Sequence, residues 1–350
     1  MLPDFATPLG TRRFQARFPR PQAASFFRSV QGLWLSSIGI GTYLGAPDDA
    51  TDQAYAEAVT AAFGMGVNFV DTSLNYRNQR SEFAVGKALR EAVETGLIER
   101  SEIVVATKAG YLVPDAMPQE ALPPLDIVGG VHSLAPAFLD DQLQRSRRNL
   151  GLQTVDVFYV HNPETQLGFV NEEEFSERMR RAFEFLEEAV EQRQIRYYGA
   201  ATWEGFRRSP RSPQALSLER LAGIAYSIAG ERHHFRFIQL PFNLAMPEAF
   251  ASRTDGDSVL ETAQRLGITA VASASLLQGR LARDFPAPIR EKLAGARTPA
   301  QCAIQFTRST PGIVVALVGM GHVGHVRENL ALAAVPPIPQ DQYLSLFPPA

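Results

Sequence analysis

The chain has 350 residues, 45% of them apolar, with 26 glycines, 24 prolines and one cysteine, Cys302, a composition that excludes disordered, collagenous and disulfide-stapled classes. Its 34 basic and 37 acidic residues leave a formal charge of −3, so no general basic field exists to hold a nucleic-acid backbone, and nucleic acid is not an expected partner. No run of about 18 apolar residues occurs, Cys and His are not paired at zinc-ligand spacing, and the Arg-rich start (Arg12, Arg13, Arg17, Arg20, Arg28) lacks the apolar stretch of a secretory signal. The expectation is a cytoplasmic protein with no membrane span and no structural metal.

Residues 1–32 form an N-terminal arm, rich in Arg and Phe with Pro19 and Pro21, either ordered against the floor of the domain or a mobile tail. Eight short apolar or β-branched runs follow, bounded by turn residues, at 38–42, 68–71, 103–107, 155–160, 196–200, 237–240, 269–273 and 313–318. Helical spacing of apolar positions separates them, at 53–63, 82–94, 137–150, 174–191, 216–228, 258–266 and 299–308, with a last stretch at 325–333. Strand and helix therefore alternate eight times. Continuous apolar runs are strands buried on both faces, and strict alternation demands parallel pairing through right-handed crossovers. The predicted class is α/β, a single-domain (β/α)8 TIM barrel over 33–335 with residues 336–350 as a tail; a doubly wound open sheet is the competing arrangement.

In a barrel, chemistry gathers at the C-terminal strand ends. Those positions supply Gly41-Thr42, Asp71-Thr72-Ser73, Thr107-Lys108, His161-Asn162, Ala201-Thr202, Gln239, Ser273 and Gly319-Met320. The longest break after a strand, 109–136, holds Gly129-Gly130 and several prolines and reads as a lid or substrate loop. Asp71, with Tyr76 five residues on, Lys108 and His161 follow three consecutive strands and so are neighbours on one rim. Lysine is scarce: Lys87, Lys108 and Lys292 stand against 31 arginines, yet one of the three ends an apolar strand. An ammonium is a compact charge that can be desolvated beside a phenol, where a planar guanidinium fork would not serve. Its proximity is expected to lower a phenol pKa whose ordinary value is about 10. Asp71 would pair the buried ammonium, and His161 would orient a substrate oxygen. Such a set protonates an oxygen that becomes an alkoxide, as carbonyl reduction by hydride requires, and the hydride has to come from a cofactor.

These residues belong to an ordered series: Ile38-Gly39-Ile40-Gly41-Thr42; Gly66-Val67-Asn68-Phe69-Val70-Asp71-Thr72-Ser73 with Tyr76, Ser81-Glu82 and Gly86-Lys87-Ala88-Leu89; Thr107-Lys108; Leu150-Gly151 with Val155-Asp156 leading to His161; Ile195-Arg196 with Gly199; Gln239 with Asn243; and Glu328-Asn329. From about residue 33 to 333 the chain resembles the aldo-keto reductase superfamily, whose barrel binds a nicotinamide cofactor without a Gly-rich dinucleotide turn. The resemblance implies Tyr76 as proton donor, Asp71 and Lys108 tuning it, and His161 orienting the carbonyl. The expected cofactor contacts are Gly41, Thr42, Asp71, Asn162, Thr202, Gln239, Ser273, Leu276, Gly319, His325, Glu328 and Asn329. By residue type Tyr43, Tyr111 and Trp203, with Leu112, either wall a substrate pocket or serve as packing.

The chain departs from the superfamily pattern at three places. Ala201-Thr202 stands where many members have Ser-Asn, and Ser273 where members carry a stacking Tyr, leaving Phe242 or Trp203 to cover the nicotinamide ring. His325 occupies the place of an Arg that clamps a 2′-phosphate, with His322 and Arg327 nearby; the resemblance implies NADP(H) as the favoured cofactor, and this departure makes NAD(H) the alternative. Gly319, Gly321 and Gly324 suit either backbone amides presented to phosphate or simple turns. His233 and His234 read as solvated loop histidines at the opposite rim, His132 as a substrate contact in the long loop, Cys302 as core, and Glu172–Glu174 as the acidic start of a helix. The resemblance implies an oxidoreductase that moves a hydride between NAD(P)(H) and an aldehyde, ketone, sugar or alcohol, as a monomer or small homo-oligomer. The alternative is a nicotinamide-binding regulatory or interaction module with little turnover.

Overall fold

The structure, a computed structural model, describes residues 1–18, 26–120, 122–251 and 256–347; Pro19, Arg20 and Pro21 lie outside the described residues. Eight parallel strands close into a barrel: β1 (Ile38–Gly41), β2 (Phe69–Asp71), β3 (Val104–Ala109), β4 (Val155–His161), β5 (Ile195–Ala201), β6 (Phe235–Pro241), β7 (Thr269–Ser273) and β8 (Ile313–Gly319). Closure is made by β8 against β1, with Gly319 opposite Gly41, so the open sheet is excluded. Each strand is followed by a helix: α1 (Asp49–Gly64), α2 (Arg80–Glu94), α3 (Pro136–Leu150), α4 (Glu172–Glu191), α5 (Leu218–Ala229), α6 (Val259–Arg265), α7 (Pro299–Ser309) and α8 (Val323–Leu330). Polar side chains start most of them. Asp48, Asn171, Ser217, Ser258 and Thr298 each accept a backbone N–H of the first turn, satisfying donors that the helix itself leaves unpaired. Among the described residues no helix is long and apolar enough to cross a membrane.

Two apolar layers result. One lies between strands and helices and includes Val59, Leu89, Phe138, Phe183 and Phe306; the other fills the barrel with Phe69, Val104, Val157, Tyr159, Phe237, Val271 and Val315. The inner layer is closed from below by the N-terminal arm, which contributes Ala6, and by the strand just after it, which contributes Leu33 and Leu35. A helix at Pro8–Arg17 and an antiparallel hairpin of Phe27–Val30 with Leu33–Ser36 form this floor. The arm is tied to strand starts by hydrogen bonds from Leu2 N to Gly151 O (2.6 Å), Ala6 N to Asp156 Oδ1 (2.7 Å) and Thr7 N to Ser101 O (2.9 Å). Gly10 is required there, because a Cβ would stand 2.1 Å from Ser101 O. With the floor sealed, the C-terminal strand ends are left to line a cavity.

The opposite rim corrects one expectation. His233 is buried, and burial pushes its imidazole down to about 4, while His234 Nδ1 meets Glu187 Oε2 at 2.7 Å. The Glu187 carboxylate, bonded also by Tyr198 Oη and His234 N, anchors His234 to α4, so His233 is not a solvated loop residue, while His234 stays in the loop with its side chain 38% exposed.

Candidate active site

β2 and β3 end side by side, which places Asp71 and Lys108 on adjacent strands. Lys108 Nζ donates to Asp71 Oδ1 (2.7 Å), Asp71 Oδ2 (2.9 Å) and Thr72 O (2.7 Å), with both side chains almost wholly buried. Gln239, from β6 across the barrel, adds a donor to Asp71 Oδ2 at 2.7 Å. Burial pushes the Asp71 carboxyl up and the Lys108 ammonium down, and their mutual attraction opposes both shifts. The ammonium lies 4.8 Å from the centre of the Tyr76 ring, a cation–π contact in a desolvated setting. Tyr76 meets His161 edge-on with ring centres 6.1 Å apart. The four residues singled out from sequence are thus one cluster at the upper ends of β2, β3 and β4.

The electrostatics reverse one part of the sequence argument. Lys108 was expected to lower the Tyr76 pKa, but its three hydrogen bonds go to Asp71 and Thr72. Burial first, then the Asp71 charge and the neighbouring Tyr43 and Tyr111, carry the phenol well above its ordinary value. Tyr76 is therefore a neutral phenol at neutral pH. His161 moves the other way, held well below its ordinary value by burial, then Lys108, then His132, so at neutral pH it is an uncharged imidazole. Its Nδ1 faces Ser73 Oγ at 3.4 Å, and Ser73 Oγ also contacts Lys108 O at 3.1 Å and Asn75 Oδ1 at 2.6 Å. Ser73 therefore joins three strand ends, a part that the sequence reading, which noted it only at a strand end, did not assign.

Above this cluster opens a cavity of about 670 Å³. Asp71, Tyr76 and His161 line it, whereas Lys108 lies behind Asp71. The substrate-side residues Tyr43, Tyr111 and Trp203 also line it, as do Gly41, Thr42, Asn162, Gln239, Ser273, Leu276, Gly319, His325, Glu328 and Asn329. Thr202 does not: it is buried beside the cavity, its N donating to Gln239 O. Two further expectations are corrected. Phe242 is fully buried, stacked at 9° on Phe306, and so is not available to cover a ring in the cavity; Trp203 lines it. His132 touches no cavity surface, being wholly buried between His161 O (2.7 Å from Nε2) and Gln166 Nε2 (2.9 Å from Nδ1).

The lining extends to residues not foreseen, notably Asn75, Ser275, Gln278 and Gly279. The only sequence signal for them is polar or glycine residues just beyond a strand end. Ser275 and Asn329 line the cavity, and Ser275 Oγ and Asn329 Oδ1 are buried without a hydrogen-bond partner, an arrangement that suits a polar occupant, because an unpaired buried group is destabilising until a ligand satisfies it. At Gly41 a Cβ would find its nearest atom 4.0 Å away and at Gly319 none within 4 Å, so backbone is open to the cavity at both. These features fit a polar ligand such as a dinucleotide. Among the described residues no group of three His, Cys, Asp or Glu side chains could hold a metal.

The profile of the Aldo/keto reductase family matches residues 37–293, and the chain belongs to that oxidoreductase family. Over 324 residues it is 24% identical to a putative voltage-gated potassium channel subunit beta of Schizosaccharomyces pombe, covering 87% of this chain and 86% of that protein. Prostaglandin F synthase 2 of Bos taurus is 26% identical over 145 residues, 41% of this chain and 36% of that enzyme. Two solved structures share the fold. An aldo/keto reductase of Klebsiella pneumoniae in complex with NADP and acetate superposes with a TM-score of 0.64 at 20% identity, over 92% of this chain and 95% of that one. An aldo-keto reductase of Bacillus halodurans in its holo form gives 0.65 at 18% identity, over 93% and 97%.

Proposed function

We propose that this protein transfers a hydride between a nicotinamide dinucleotide and a carbonyl compound, reducing an aldehyde or ketone or oxidising the corresponding alcohol or sugar, with Tyr76 as the proton donor and acceptor. The observation that carries the proposal is the position of Tyr76, a neutral phenol facing a cavity with the Lys108–Asp71 pair beneath its ring and an uncharged His161 at its side. A carbonyl oxygen seated between Tyr76 and His161 would accept hydrogen bonds that strengthen as negative charge develops on it. The phenol then gives up its proton to the developing alkoxide, and the ammonium 4.8 Å from the ring offsets only part of the burial and Asp71 repulsion that oppose the phenolate. A bound dinucleotide would supply the hydride. Gly41, Thr42, Asn162, Gln239, Ser273, Leu276 and Gly319 are the candidates for holding its nicotinamide and phosphate portions, and His325, Glu328 and Asn329 for its adenosine end; Thr202 would act only through Gln239. NADP(H) is the favoured form, supported by the NADP and NADPH complexes of the Klebsiella pneumoniae neighbours; NAD(H) is the alternative, supported by His325 lining the cavity.

The channel-subunit relative supports a second reading, a dinucleotide-binding module with little turnover. Titration of the protein with NADPH and NADH, followed by quenching of Trp203 emission and then by turnover on a panel of carbonyl compounds, separates them. Saturable binding with turnover is the expected result. Binding without turnover on any carbonyl favours the module, and no binding of either dinucleotide overturns both.

A further inference from the structure

The turn that follows β4, Pro163–Gly168, ties several walls of the cavity together. Asn162 enters it in the left-handed region (φ 47°) and its Nδ2 donates to Tyr111 Oη at 2.9 Å. Gln166 Nε2 bonds His132, which in turn reaches His161 O, and Gln166 Oε1 accepts from Arg178 at 2.8 Å. Between these two, Glu164 Oε1 accepts three consecutive backbone N–H groups, from Trp203 (2.8 Å), Glu204 (2.9 Å) and Gly205 (3.1 Å).

Glu164 is an expensive residue to place there. It is 7% exposed, none of the ion pairs among the described residues includes it, its Oε2 is buried without a hydrogen-bond partner, and burial pushes its carboxyl up. A carboxylate without a cation is tolerated when convergent N–H groups hold it, and bonds to an ionised acceptor are roughly twice as strong as neutral ones. The segment it grips carries Trp203, a cavity-lining side chain that remains 37% exposed. Approach is close: at Gly205 a Cβ would meet Leu216 at 2.6 Å and the Glu164 Cβ at 3.3 Å.

We infer that Glu164 is a positioning residue that fixes the backbone carrying Trp203 and, acting through Trp203, sets the affinity of the cavity for its carbonyl substrate. The second half rests on the proposed function; the first does not. The test uses a Trp34→Phe background, in which Trp203 is the sole tryptophan, and compares Glu164→Ala and Glu164→Gln with that parent by acrylamide quenching and by kinetics on benzaldehyde with NADPH. Glu164→Ala is expected to raise the quenching constant of Trp203 about twofold and the benzaldehyde KM about tenfold, with kcat changed less than about threefold and the KM for NADPH unchanged, the pattern of lost ground-state binding. Glu164→Gln, which keeps an acceptor oxygen without the charge, falls between the two. If Glu164→Ala does not fold, Glu164→Gln alone decides: raised quenching with raised KM supports the inference. Parental quenching and KM in the folded variant overturn it, as does an equal loss of kcat and kcat/KM. If the parent turns over no carbonyl, the quenching comparison still decides the positioning role, and it is the proposed function that fails.

Discussion

Two buried ion pairs stand at opposite ends of neighbouring strands, and they serve different ends. At the floor, Asp156 Oδ2 accepts from Arg100 (2.6 Å) and Val105 N (2.8 Å), and Oδ1 accepts from Ala6 N (2.7 Å). Arg100 also donates to Ile103 O and Thr154 O, so the pair knits the arm to two strand starts and does not line the cavity of about 670 Å³. At the upper end, Lys108 and Asp71 are bonded as densely, but what covers them is a phenol, an imidazole and an open cavity. The same chemistry is a structural rivet when protein closes it on every side. It becomes an electrostatic device when one side is left to a ligand, because the field of a desolvated pair then acts on whatever enters.

The contrast can be broken from below. Asp156→Ala strands the Arg100 guanidinium in the floor and is expected to lower stability by about 3–5 kcal/mol, measured by urea unfolding, with turnover per folded molecule unchanged because Asp156 does not line the cavity. A smaller effect sharpens the contrast from above. Burial holds His132 down to about 4, against about 6.5 in an unfolded chain. Between those values the unfolded chain binds the additional proton, so this contribution to stability is complete above the unfolded value and is lost as pH falls toward 4. Unfolding at pH 5 compared with pH 7 should show about 2 kcal/mol lost from this site, and His132→Gln should remove that part of the acid sensitivity.

The barrel was legible because its strands are buried on both faces and so read as unbroken apolar runs. Edges were not. Asn68 was assigned to a strand, yet its side chain serves Ser36 N, Trp34 O and Glu102 O, and β2 begins at Phe69. β6 starts earlier, at Phe235, and ends later, at Pro241, than its apolar core suggests, since Arg236 and Pro241 mask the pattern. The helix at Pro8–Arg17 carries almost no apolar stripe, and only its docking on the turn Arg100–Glu102 and the hairpin explains it. For the site, the residue types and their rim were legible from spacing and resemblance. The direction of the Tyr76 shift was not, because it depends on where the Lys108 hydrogen bonds go. Nor were the braces by Glu164 and His132, which join loops distant in sequence and leave no local signal.

The central claim is that Tyr76 delivers the proton at the open end of the barrel. Tyr76→Phe removes one hydroxyl and leaves the ring over Lys108. With NADPH and a carbonyl substrate turned over by the parent, the variant should bind the dinucleotide as the parent does, unfold at the same urea concentration, and lose about 10²–10⁴-fold in kcat. Turnover at the parental rate in a folded Tyr76→Phe protein would contradict the account.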